Sequence, residues 1–227
     1  IAVAVAHLAL MKYLDFFRSV SQTLLGAVGI RWNLPAAEIA LPIGISYYTF
    51  QSITYLVAAR RVQIVVEKPE RLALYLAFFP TLLAGPICRA GEMLPQYAAT
   101  APRAVGETGR IFILLISALV KLLWLNPWLE ENWTTPILGN PEQYQPIEVL
   151  AALYAYTLYI YLNFSGYTDL VTAIALLLGI RIPENFNQPY AAANLRDFWH
   201  RWHISLSSWI RDYLYIPLGG SRRGLLR

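Results

Sequence analysis

The sequence predicts an all-α protein embedded in a membrane, and three observations carry that expectation. Of its 227 residues, 57% are hydrophobic and only 14% charged, whereas soluble domains carry about 25% charge. Long stretches are nearly free of ionisable side chains: 39–59, 72–88, 111–129 (interrupted by Lys121 alone) and 149–168. They match the roughly 20 apolar residues that a helix needs to cross hydrocarbon. The third observation is that proline and glycine interrupt one of these runs. Non-helical backbone at membrane depth is tolerated only where protein or a water-filled cavity surrounds it, so a polytopic bundle enclosing a cavity is expected.

Taken in order, the chain opens on IAVAVAHLALM with no basic region or cleavage site before it. It therefore reads as the remainder of a longer span, not as a signal peptide. Residues 1–227 are expected to be a single membrane domain, truncated at both ends. The single Cys88 excludes an internal disulfide and a thiolate metal cluster. The loop 60–71 holds Arg60, Arg61, Lys68 and Arg71, and the loop 89–110 holds Arg89, Arg103 and Arg110. Basic loops favour the cytoplasmic side, so the apolar run between them, 72–88, is not expected to cross fully. Pro80, Gly85 and Pro86 predict a broken, re-entrant hairpin there. The loop expected over 126–146 has no Lys or Arg and contains Glu130, Glu131 and Glu142, so it should face away from the cytoplasm.

The next stretch, 147–180, is hydrophobic apart from NFSGYTD (163–169). As one helix its 34 residues would span about 51 Å at 1.5 Å per residue, longer than a ~30 Å hydrocarbon core. One crossing followed by a bent or partial helix, with a break near Gly166, is expected. Net charge is +4, from 18 basic and 14 acidic residues. From Arg196 onward six arginines face Asp197 and Asp212, so the excess basicity sits at the C-terminal end and places it in the cytoplasm. A nucleic-acid partner is set aside because the neighbours of this basic end are membrane spans.

The run DFWHRWHISLSSWIRDYLYIPLGG (197–220) gathers three tryptophans and two histidines. Asn194 and Asp197 resemble a capping box opening a helix. One continuous helix would align Trp199, His203, Ser207, Ile210 and Leu214 on one side and Trp202, Leu206, Trp209 and Tyr213 on another. His203 then has an aromatic wall one turn before it and the Ser207 hydroxyl one turn after it. Histidine's ordinary pKa suits proton transfer near neutrality, and an ionisable group in a membrane protein is a functional candidate. The alternative is an interfacial helix whose Trp, Tyr and Arg sit at the headgroups. His200 and His203 also have the spacing of a helical metal pair, but no HExxH pattern or thiolate pair accompanies them, and no metal is expected. Asn163 and Asp169 either hydrogen-bond between helices or line a substrate path.

LPIGISYYTFQSITYLV (41–57), FFPTLLAGPICRAGEMLPQ (78–96), NFSGYTDLVTAIALLLGIRIPENFNQPY (163–190) and DFWHRWHISLSSWIRDYLYIPLGGSRRG (197–224) resemble, in this order, the membrane-bound O-acyltransferase (MBOAT) family. The likeness is to its bacterial polysaccharide branch. It implies tilted and re-entrant helices around a tunnel in a thinned bacterial inner membrane. By the same resemblance a thioester donor, acetyl-CoA or an acyl carrier, is expected to arrive from the cytoplasm. The implied acceptor is an exported polysaccharide (alginate-type O-acetylation), served with periplasmic acetyltransferase partners. The family's histidine in Trp-His-Ile-Ser-Leu-Ser corresponds to His203. Trp199, Trp202 and Ser207 are expected to shape the tunnel beside it, together with Asn163 and Asp169. Members carry a second active-site histidine downstream on a hydrophobic helix, whereas the histidines here are His7, His200 and His203. D-alanyl transfer to teichoic acid is the alternative within the family. A transporter or channel with Asp169 and His203 on its path, or a non-catalytic scaffold, is the alternative outside it.

Overall fold

The computed structural model describes residues 2–30, 42–64, 66–99 and 105–223. The start of the apolar run 39–59, Arg103 in the second basic loop, and the side chains of Arg222 and Arg223 lie outside the described residues. The rest is built from helices: α1 (Ala2–Ala27), α2 (Ile45–Arg60), α3 (Pro69–Leu76), α4 (Phe79–Leu82), α5 (Ala90–Ala98), α6 (Thr108–Gly139), α7 (Pro146–Leu177), α8 (Leu195–Arg201) and α9 (Ile204–Ile210). No β-strand occurs among the described residues; an isolated bridge joins Phe186 to Trp202.

Helices α6 and α7 are each long and apolar enough to cross a membrane, at 32 residues apiece, or about 48 Å. They form an antiparallel hairpin, and few of their residues are buried within the chain. Phe112, Ile113, Leu123 and Trp124 on α6, and Ile147 and Tyr154 on α7, are largely exposed. Apolar surface of that kind suits lipid or further protein, not water.

Two expectations are corrected here. Helix α7 does not break near Gly166: Pro146–Leu177 is a single helix. Gly166 instead marks a close approach, where a Cβ would come 2.9 Å from Lys121 Cβ and 3.0 Å from Leu122 Cγ. Small residues let two helix backbones draw together in this way. The stretch 126–146 is not an open loop either, because α6 continues to Gly139 and leaves only 140–145 as the turn. Helix α6 absorbs Pro127 and Pro136 by widening. The π-helical stretches Val120–Leu125 and Glu130–Thr134 precede them, which relieves the clash of each proline ring with the preceding turn. Pro146 opens α7 at its first turn, where its missing N–H costs nothing. The Glu148 side chain accepts from the Gln145 backbone N–H at 2.8 Å.

The run 72–88 is broken, as its prolines and glycine predict: α3 ends at Leu76, α4 covers one turn, and an extended stretch follows. Its wall is held by a buried core of Tyr55, Tyr75, Phe78, Met93, Leu94 and Tyr97, joined by Ala175 near the end of α7 and Ile180 just after it. The fully buried Tyr75 hydroxyl donates to the Cys88 carbonyl at 2.8 Å and lies 2.8 Å from Thr54 Oγ1. Gly44 begins α2 with φ +74°, and a Cβ there would collide with the Leu82 carbonyl, so only glycine fits. A cluster of ion pairs closes the open end of the α6–α7 hairpin. Glu107 pairs with Arg110 (3.1 Å) and Arg181 (2.9 Å), and Arg110 also reaches Glu184 at 3.4 Å. The Arg110 and Arg181 guanidiniums hold the Glu107 carboxyl below the usual range.

Candidate active site around His203

The chain leaves α7 through Gly179 (φ +68°) and runs in extended form along the 201–205 segment. Asn187 N–H donates to the Arg201 carbonyl (3.0 Å) and Ile204 N–H to the Asn185 carbonyl (2.9 Å). These cross-chain bonds take backbone groups that a helix would use, and they explain a third correction. The expected continuous helix from Asn194 is broken between α8 and α9. Trp202 is extended (φ −103°, ψ 125°) and His203 is left-handed (φ 43°, ψ 54°). A non-glycine residue in that region is strained by about 1–3 kcal/mol, and such strain clusters at functional sites.

The start of α8 forms largely as expected. Asn194 Oδ1 accepts the Asp197 N–H at 2.9 Å. The Asp197 carboxylate reaches back one residue further than in a reciprocal box, accepting the Ala193 N–H at 3.2 Å. The bond from Arg201 (2.8 Å) and that from Ala193 keep this carboxyl below its ordinary pKa.

The break changes the surroundings of His203. Its ring meets Phe164 of α7 edge-on at 4.7 Å. Its Nδ1 lies 2.9 Å from Asn185 Oδ1, and Nε2 has no hydrogen bond among the described residues. Burial pulls the imidazole pKa from 6.5 down to about 4, so the ring is neutral at physiological pH. Asn185 is 1% exposed. Its Oδ1 also accepts the Ser205 N–H (3.3 Å) and the Ser205 hydroxyl (2.8 Å). Ser205 Oγ in turn accepts the Ile87 N–H at 2.9 Å, which ties the broken 72–88 run to the site.

The other expected site residues divide. Trp202 sits in an aromatic cluster with Tyr161 (6.0 Å), Phe186 (5.2 Å) and a stacked Phe198 (5.5 Å). It is the hub of the wall beside His203. Trp199 does not wall His203; it is 51% exposed and lines a cleft of about 310 Å³ with Arg196, His200, Ser207, Ser208 and Arg211. Ser207 does not reach the imidazole. Its hydroxyl donates to the Trp202 carbonyl at 3.2 Å, because the stacking of residues four apart fails when the helix restarts at Ile204. His200 stays on α8, one side of the break from His203, and the described residues include no group of three or more His, Cys, Asp or Glu able to hold a metal.

Asn163 is exposed on α7. Asp169 lies in an interhelical pair, with its Oδ2 2.7 Å from Lys121 Nζ and 2.8 Å from Ser117 Oγ. That is the helix-joining alternative for Asp169. Sequence reasoning missed Asn185 and Ser205. Ser205 lay inside the quoted Trp-His-Ile-Ser-Leu-Ser motif two residues after His203. Asn185 lay inside the quoted segment 163–190, but nothing in its irregular PENFN surroundings singled it out.

A half-buried histidine, held through one nitrogen on a strained backbone and set edge-on against Phe164, is chemically suited to moving protons. Residues 57–227 match the model of the MBOAT, membrane-bound O-acyltransferase, family. The chain belongs to that family. It is 35% identical to the probable alginate O-acetylase AlgI of Pseudomonas aeruginosa, over 98% of this chain and 42% of that protein. It is 30% identical to the peptidoglycan O-acetyltransferase of Helicobacter pylori, over 96% of this chain and 45% of the relative. It is 34% identical to the teichoic acid D-alanyltransferase of Bacillus subtilis, over 77% of this chain and 45% of the relative. The chain spans less than half the length of these relatives.

Proposed function

We propose that the protein containing this chain is a bacterial membrane O-acyltransferase that acetylates hydroxyls of an exported polysaccharide, with His203 as the general base. The observation that carries this is the neutral imidazole held by Nδ1 with Nε2 unengaged. In this reading Nε2 takes the proton of an acceptor hydroxyl as its oxygen attacks the thioester carbonyl. A C–O bond forms, the C–S bond breaks, and the proton passes to the departing thiolate. General-base assistance contributes roughly 10²–10⁴-fold, and positioning supplies the rest. The donor is acetyl-CoA or an acyl carrier thioester. Trp202 shapes the wall of the tunnel in which donor and acceptor meet, Trp199 its cationic mouth, and periplasmic acetyltransferases receive or complete the transfer.

The topology belongs to the same proposal. The protein is multi-pass in the inner membrane, with the Glu107–Arg110–Arg181 end of the hairpin in the cytoplasm and the 140–145 turn outside. The run 72–88 enters and leaves on the cytoplasmic side. D-alanyl transfer is the second reading, favoured by the similarity to a teichoic acid D-alanyltransferase.

The test is a donor assay on membranes carrying the protein as its cell makes it, with acetyl-CoA set against a D-alanyl-charged carrier, and with wild type beside His203→Ala. Acetate incorporated into glycan by wild type and lost in His203→Ala is expected. D-alanine incorporation in its place selects the second reading. Solute flux in proteoliposomes without transfer of either group would point to a transporter and overturn both.

A further inference from the structure

We infer that Asn185 is a positioning residue that fixes the tautomer of His203, holding Nδ1–H as a donor and thereby presenting Nε2 as the lone-pair base; this rests on the proposed role of His203. The orientation of an asparagine amide is read from its partners, and here one partner is unambiguous. The Ser205 backbone N–H, 3.3 Å from Asn185 Oδ1, can only donate, so the atom it meets must be the oxygen. The Ser205 hydroxyl adds a second constraint. Its oxygen is already met by the Ile87 N–H at 2.9 Å, which leaves its own proton for Asn185 Oδ1 at 2.8 Å. The oxygen thus faces the 203–205 turn, and His203 Nδ1, 2.9 Å away, must carry the proton. A neutral imidazole protonated on Nδ1 has its acceptor lone pair on Nε2.

The backbone supports the same alignment. The Asn185 carbonyl accepts the Ile204 N–H at 2.9 Å, so main chain and side chain of one residue hold the two backbone N–H groups that follow the left-handed His203. Asn185 Nδ2 is buried without a partner among the described residues. Turning the amide over would put that N–H₂ group against the Ser205 N–H, donor against donor, so the unpaired nitrogen is the cost of keeping the oxygen on the turn. The long reach to Ile87 explains why the proline- and glycine-broken stretch packs here: it supplies the N–H that fixes the Ser205 hydroxyl.

The experiment measures acyl transfer by the protein as its cell makes it, in membranes with matched protein levels, for His203→Ala, Asn185→Leu and Asn185→Asp. Leucine matches asparagine in size but accepts nothing, whereas aspartate keeps an oxygen where all three donors converge. Asn185→Leu should lower kcat at least tenfold with KM for donor and acceptor changed less than twofold. Asn185→Asp should recover most of that loss. A residue that merely held the fold would lower the amount of protein or shift KM, and aspartate, charged and buried, would do no better than leucine. Wild-type kcat in Asn185→Leu overturns the inference, as does an Asp variant no better than Leu at equal protein levels. Undiminished transfer in His203→Ala instead removes the role of His203 itself, so the two failures are distinguishable.

Discussion

Helices α6 and α7 and the folded-back segment 183–215 are built on opposite terms. In the two long helices the backbone satisfies itself, most side chains face outward, and the Lys121–Asp169–Ser117 cluster links one span to the other. In 183–215 the helices are short, the backbone departs into extended and left-handed conformations, and polar groups reach partners far away in sequence, as Ser205 reaches Ile87. Uninterrupted helix supplies span and stiffness without presenting free backbone groups. Broken backbone costs strain and must be held by specific side chains, which is how a single imidazole comes to be oriented. The proposed chemistry therefore sits where the helices stop.

The sharpest way to test the first half of that contrast is to unbalance the Lys121–Asp169 pair. Asp169→Leu leaves a lysine unpaired between the spans, whereas Lys121→Met with Asp169→Leu leaves neither charge. Removing one partner of a fully buried pair costs about 3–5 kcal/mol. Both side chains here are about one-fifth exposed, so screening reduces that to about 2 kcal/mol. Melting in detergent should show a large Tm loss for the single variant and recovery in the double. Equal losses in both would mean that the pair itself, not the orphaned charge, governs stability.

Gly166→Leu tests the close approach of the spans. Its Cβ alone would press on Lys121 and Leu122, and overpacking of this kind costs typically about 1–3 kcal/mol. An unchanged Tm would show that α6 and α7 separate freely.

The pH dependence probes the other region. A base acts only while deprotonated, and burial holds His203 deprotonated down to about pH 4. The acid limb of kcat/KM should therefore lie near 4, with transfer maintained between pH 7 and 5. The same shift has a stability sign. Below pH 6.5 the unfolded chain binds a proton that the folded site refuses, so stability falls progressively from there towards pH 4. An acid limb at 6.5 would mean a solvated imidazole. The smallest effect expected is that of His200→Ala: the ring is exposed on α8, and transfer should change less than threefold.

Much of this was legible in the sequence, for reasons particular to each part. Composition and uncharged runs announce membrane helices because hydrocarbon demands them, and Pro80, Gly85 and Pro86 announce a break because they cannot continue a helix. The Trp-His-Ile-Ser-Leu-Ser motif singled out His203. What escaped were features decided by tertiary contact. Gly166 read as a break, yet a glycine in a long helix can equally be where a neighbour comes close, and only the facing Lys121 and Leu122 decide. The helix expected through Trp202 and His203 has helical periodicity, but pairing with 185–187 outweighs it. Asn185 carries no local mark because its meaning lies 18 residues away in the ring it holds.

The most direct measurement compares the two regions in one experiment. It is acetate released by mild base from glycan of cells making wild type, His203→Ala, or Lys121→Met with Asp169→Leu, at matched membrane protein levels. Acetylation should fall at least 100-fold in His203→Ala, within the general-base contribution, and stay within about threefold of wild type in the double variant. Near-wild-type acetylation in His203→Ala, or its loss only when the Lys121–Asp169 pair is removed, would contradict the placement of the chemistry in the folded-back segment.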